Sequence, residues 1–127
     1  METNLLISYL AQLVIAFGLI NVWLIRFKKS TSYRGGNASN MFEEFKVYGL
    51  PRSMVYVVGG FKIIIALMML LGFSYPLVLV PSAYLLAMLM SGAILMHIKV
   101  KDPFMKALPA LCMFLLAVIV IVINSIL

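Results

Sequence analysis

Lys62 has the most chemistry to offer, because it stands alone in an apolar run, Ser53–Phe73. If that run is a helix, the residue sits roughly 13–15 Å deep in a bilayer. An ammonium at such depth costs ~2.5–3.5 kcal/mol on insertion scales and is seldom carried without a use. It can donate to a carbonyl or an anion in a polar cavity, or it can fix helix packing. Gly59 at i−3 and Ala66 at i+4 keep its face small, so that face is expected to look into a bundle. No carboxylate occurs within any long apolar run. Antiparallel registration instead brings Ala16, Met88 and Met113 to the level of Lys62, with Gln12, Ser91 and Cys112 within about one turn.

The remaining candidates are neutral or lie near an edge. Ser8 and Gln12 are spaced i,i+4, and Tyr84 and Ser91 i,i+7. Such stripes serve as hydrogen-bond partners for a ligand or as interhelical bonds. His97 follows the third apolar run, where it can relay protons, bind a ligand or cap a helix C-terminus. Asp102-Pro103 reads as an N-cap followed by Pro at the first helical position, and with His97 it can gate a cytoplasmic mouth. Glu43 or Glu44 reaches Lys62 only if the segment carrying them folds beneath the bundle.

Several chemistries are excluded by what is missing from the sequence. One cysteine, Cys112, expected mid-helix and buried, gives no internal pair for thiol oxidation. One histidine cannot supply two axial haem ligands. No Cys/His/Asp/Glu cluster has metal-ligand spacing, so no metal is expected. Gly35-Gly36 and Gly59-Gly60 are lone pairs rather than phosphate-binding loops. Ten scattered methionines suit packing better than a copper path.

These residues need a membrane scaffold. Of 127 residues, 65% are apolar and 11% charged, against about 45–50% and 25% in soluble domains. Four apolar runs, about 5–25, 53–73, 76–96 and 104–127, are each long enough to cross ~30 Å of hydrocarbon, and lipid forces them to be helical. The expected fold is therefore all-α: one domain over 1–127, a membrane-spanning four-helix bundle. The first run lacks a basic leader and a cleavage site, and is expected to be retained as a helix. Residues 73–76 form a tight turn, so the second and third helices make a hairpin. Ser30–Ser39 is polar and Gly-rich, and is expected to be mobile. Asn40 can then cap a short amphipathic helix, about 41–48, with Glu43 at N3. Met41, Phe42, Phe45 and Tyr48 are expected on its buried side, and Glu43, Glu44 and Lys46 on the other. Gly49 and Pro51 end it.

Nine of the ten cations lie in the first connection, the third connection or, for Lys106, the first turn of the fourth run, and the tenth is Lys62. The positive-inside rule then puts the 26–52 and 97–103 loops in the cytoplasm and both termini outside. The basic balance reflects topology and anionic lipid, with no nucleic acid implied. The sequon at Asn37 falls on the cytoplasmic side and is read as chance.

Tyr48-Gly49-Leu50-Pro51, Gly59-Gly60-Phe61-Lys62, Ser91-Gly92-Ala93, His97 and Asp102-Pro103, in this order, resemble the DoxX-like family of small four-helix membrane proteins. The resemblance covers about residues 42–110. It implies a bundle in the bacterial cytoplasmic membrane and, in some relatives, a subunit of a quinone-linked oxidoreductase; related branches carry an acidic residue where this chain has Lys62. The function expected is a quinone- or small-ligand-binding membrane subunit. Lys62 would contact the ligand, with Gln12, Tyr84 and Ser91 as hydrogen-bond partners and His97 at the mouth. Quinone is the implied cofactor. The implied partners are the lipid bilayer, a membrane or cytoplasmic oxidoreductase, and further copies of the chain. An accessory subunit is expected rather than a stand-alone enzyme. The rival reading is a non-enzymatic assembly protein that docks helices on its Gly59/Ala66 and Ala83/Ala87/Ser91 faces.

Overall fold

A computed structural model describes residues 2–126. The first apolar run forms α1 (Glu2–Ile20) and continues through a wide π turn, Asn21–Ile25. After the first loop come the short α2 (Met41–Val47) and the long α3 (Arg52–Leu71). A 3₁₀ turn, Pro76–Val78, leads into α4 (Leu79–Lys99), and α5 (Phe104–Ser125) completes the described chain. Four of these segments are long and apolar enough to span a bilayer, so the chain is an integral membrane protein. α1 begins three residues before its expected start and α4 ends three residues past its expected end, at Lys99, while α3 stops two residues short, at Leu71.

α1 packs against α3 and α5, and α4 packs against the same two, closing a ring of four. Small residues set the spacing: Ala16, Ala66, Ala83 and Ala117 are fully buried between Ile15, Leu19, Ile65, Met69 and Leu86. Lipid tails are as apolar as these side chains, so close packing rather than water exclusion holds the ring together. Cys112 is exposed on the outside of α5, not buried as expected; apolar surroundings alone do not separate core from lipid in a membrane helix.

The two ends of the bundle differ. At one end, Tyr9 of α1 stacks on Phe73 of the α3–α4 turn, 5.1 Å between centroids. At the other, both cation-rich loops meet: Gly36 N–H donates to Asp102, Lys106 donates to Gly36 O, and Lys99 Nζ donates to Tyr48 O at 2.8 Å. We call this the basic end.

α2 lies across the basic end and closes it. Asn40 caps it, its Oδ1 accepting from Glu43 N–H at 2.9 Å, while the Glu43 carboxylate accepts from Ser39 and from the Asn40 amide. These bonds, those of Ser39 foremost, hold Glu43 below the ordinary carboxylate range. Gly49, at φ +80°, ends the helix in the left-handed region that favours glycine. Met41 and Phe45 then pack with Trp23 and Val55 in a second apolar cluster beneath the main core.

The first loop, expected to be mobile over 30–39, is gathered around one buried arginine. Arg34 is 4% exposed. Its guanidinium donates to the carbonyls of Arg26, Phe27 and Lys29 and to Glu44. A composition rich in Ser and Gly gives no sign of a single arginine that gathers the chain around itself.

Candidate functional site

Helical spacing aims α2 inward by its Met41, Glu44, Phe45 and Tyr48 stripe. Glu44 is therefore buried, at 9% exposed, and not on the outer face expected for it. Its carboxylate accepts from Arg34 (3.2 Å), Gly35 N–H (2.9 Å) and the Tyr48 hydroxyl (3.0 Å). The Arg34–Glu44 ion pair is thus desolvated but fully hydrogen-bonded, the condition under which a buried pair is tolerated. Tyr48 is 5% exposed, and its hydroxyl also lies 3.4 Å from His97 Nε2. Burial, then the adjacent Glu44 carboxylate, push the Tyr48 phenol well above its ordinary range, so it stays a neutral donor.

His97 Nδ1 stands 2.8 Å from Asp102 Oδ2; a carboxylate only accepts, so Nδ1 carries the proton. Asp102 is not the cap of α5. Pro103 occupies that position, and no side chain caps the helix. The Asp102 carboxylate instead ties the α4–α5 connection to the first loop through Gly36 N–H at 3.0 Å, with Lys106 Nζ at 4.0 Å. Burial works against its charged form, but the His97 and Gly36 hydrogen bonds outweigh this and hold Asp102 below the ordinary carboxylate range. The result is one buried polar chain, Arg34–Glu44–Tyr48–His97–Asp102, drawn from three segments.

Lys62 lies above this chain, toward the bundle interior. It is 8% exposed, and its ammonium stands 5.1 Å from the centroid of the Trp23 ring, within cation–π range. Gly59, one turn earlier, lets Trp23 approach: a Cβ there would fall 2.7 Å from the indole. Among the described residues no ion pair joins Lys62 to Glu43 or Glu44: Glu44 pairs with Arg34, and Glu43 is held by Ser39 and Asn40. Among the hydrogen bonds of the described residues, none is donated by Lys62 Nζ.

His97 lies in the last turn of α4, at the basic end, while Lys62 stands midway along α3. Gln12 is fully buried, but its amide donates to Met69 O at 3.0 Å, two turns beyond Lys62 toward the opposite end. There it accepts from Ser8, which accepts from Asn124, so these bonds lock α1, α3 and α5. Tyr84 is 57% exposed on the outward face of α4. Ser91 is half-buried and donates to Ala87 O of its own helix, as Ser does where no partner helix offers an acceptor. The registration fails because the pairings Gln12–Met69 and Trp23–Gly59 slide α1 by about one turn relative to equal-depth alignment. Of the two faces expected to dock other helices, Gly59, Ala66 and Ala83 are buried within the bundle, whereas Ala87 and Ser91 are half-buried.

Trp23, Arg34, Glu44, Tyr48 and Asp102 come together only in the tertiary structure. The 41–44–45–48 stripe was a usable signal for Glu44 and Tyr48; nothing in the sequence links Arg34 to them.

No curated protein and no solved structure matches the chain. A family model described as the DoxX-like family matches residues 10–120. With that match over most of its length, and with four spanning helices built as above, the chain belongs to the DoxX-like family.

Proposed function

We propose that this protein is a ligand-binding membrane subunit, linked to redox metabolism, that holds a quinone head group or a similar small carbonyl compound against Lys62. The observation that supports this reading is Lys62, 8% exposed as a residue, whose ammonium donates no hydrogen bond among the described residues. Arg34 pairs with Glu44, and Asp102 pairs with His97 and with Lys106 Nζ at 4.0 Å while accepting from Gly36 N–H. Among the described residues no carboxylate forms an ion pair with Lys62, so a ligand carbonyl or anion completes the site. Trp23 offers its ring as one wall, and Glu44, Tyr48 and His97 are the proton-holding groups beneath. Tyr84, Ser91 and Gln12 have no part in this version of the site.

The basic end faces the cytoplasm of a bacterial cell on this reading, following the nine cations gathered there. The electron-transferring chemistry belongs to an oxidoreductase partner, and this chain is the accessory subunit. The test is binding of a short-chain quinone to purified protein in nanodiscs, comparing wild type with Lys62→Met and Lys62→Arg. Loss in Lys62→Met with retention in Lys62→Arg is expected; equal affinity in a well-folded Lys62→Met protein would overturn the reading.

A further inference from the structure

The end of α4 and the start of α5 diverge at the basic end, leaving a cleft of about 160 Å³. Ile94, Ile98, Phe104 and Ala107 wall it, and His97 and Asp102 form its polar floor. Ile98 and Phe104 are 65% and 70% exposed on the outer surface, so the cleft opens sideways toward the bilayer. α2 and the first loop cover the axial end. Lys62 does not line this cleft.

We propose that this lateral cleft binds a membrane-dissolved amphiphile with a neutral hydroxyl head, a long-chain phenol, whose hydroxyl donates to Asp102 while its tail lies along α4 and α5. The volume falls below the few hundred Å³ of a drug-sized pocket, so it admits one ring and leaves the tail in lipid. A carboxylate offers about four lone-pair sites, and His97 Nδ1 and Gly36 N–H use part of them, leaving room for one more donor. The side chains of His97 and Asp102 are 8% and 5% exposed, so a hydroxyl reaching them leaves water behind and gains a charge-assisted bond.

Charge sets the selectivity. Asp102 is ionised at neutral pH, so a fatty acid or phosphate head would meet a like charge. Lys99 Nζ donates to Tyr48 O and Lys106 Nζ to Gly36 O, so both ammonium groups are held by first-loop carbonyls, that of Lys106 at 4.0 Å from Asp102 Oδ1. A ketone or ether of the same shape has no proton to give and finds no free donor on the floor.

The test uses wild-type protein in nanodiscs and a 4-alkylphenol carrying a photoreactive diazirine at the base of its tail. Labelling confined to residues 94–111, displaced by unlabelled 4-nonylphenol but not by its methyl ether or by decanoate, is the expected result. Asp102→Asn should lower labelling about tenfold, the loss of one hydrogen bond to a charged group. Ala107→Phe fills the cleft from α5, and Ile94→Phe narrows it from α4 should the first variant fold poorly; either should abolish labelling. The proposal is independent of the Lys62 site, so Lys62→Met should label as wild type does. It is overturned by equal displacement with the ether or decanoate, by labelling spread over all four spans, or by a loss in Lys62→Met as large as in the cleft variants.

Discussion

Trp23 and Lys62 meet across the α1–α3 seam, with the ammonium 5.1 Å from the indole centroid. The contact exists because Gly59 presents no side chain to the indole. It also exists because the π turn at Asn21–Ile25, closed by Arg26 N–H to Asn21 O at 2.8 Å, rotates the end of α1. Such widened turns often mark functional positions. Gly59→Ala, whose Cβ would collide with Trp23, should destabilise the bundle by about 1–3 kcal/mol. Thermal unfolding in detergent and a shift in Trp23 fluorescence, the single tryptophan of the chain, read this directly; an unchanged spectrum would contradict the packing described.

Lys62 should itself be a burden on the fold. Replacing it with Leu removes an unpaired charge from the span, and insertion scales put such a charge at ~2.5–3.5 kcal/mol. The variant should melt at or above the wild-type temperature while losing ligand. A clear fall in melting temperature would instead mean that the lysine stabilises the bundle.

Arg34 and Glu44 are a coupled pair. Arg34→Met leaves a buried carboxylate without its cation and should cost about 3–5 kcal/mol, releasing the first loop to proteolysis around residues 30–40. The double variant Arg34→Met/Glu44→Met should be less damaged than Arg34→Met alone, because the uncompensated charge has gone. Additive losses would show that the pair is not coupled.

Asp102 makes the clamp between the first loop and α5 sensitive to acid. Its folded-state pKa lies below the ordinary 3.8, so folding favours the ionised form. That stability is present above the unfolded value and disappears as pH falls through the folded one. Hydrogen exchange of the first loop should therefore accelerate only below about pH 4. In Asp102→Asn the loop should already exchange faster at neutral pH and show a smaller acid step, the remainder being that of Glu43 in the α2 cap.

Gln12 and Asn124 work at the opposite end. Interhelical hydrogen bonds in bilayers average about 0.6 kcal/mol, so Gln12→Leu should lower the melting temperature slightly and leave ligand binding untouched. A large effect of Gln12→Leu on binding would return this residue to the site.

Much of the architecture was legible in the chain. Apolar runs of about twenty residues have one solution in lipid, a hydrogen-bonded helix, and Asn40, Glu43 and Gly49 bounded α2 because capping and left-handed turns are local chemistry. The clustering of nine cations in and next to two connections already joined those connections at one end. Lys62 stood out because a charge in hydrocarbon is costly wherever its neighbours lie.

Tertiary structure decided the rest. In a membrane helix the core and lipid faces are equally apolar, so periodicity could not tell that Tyr84 and Cys112 point outward or that Gln12 is held two turns away from Lys62. The polar chain from Arg34 to Asp102 joins residues 68 positions apart by numbering, through bonds set by how α2 lies across the bundle. Depth along one helix follows from counting residues; which side chains share that depth follows from how helices slide and turn against each other, and that is fixed by contacts such as Trp23 on Gly59.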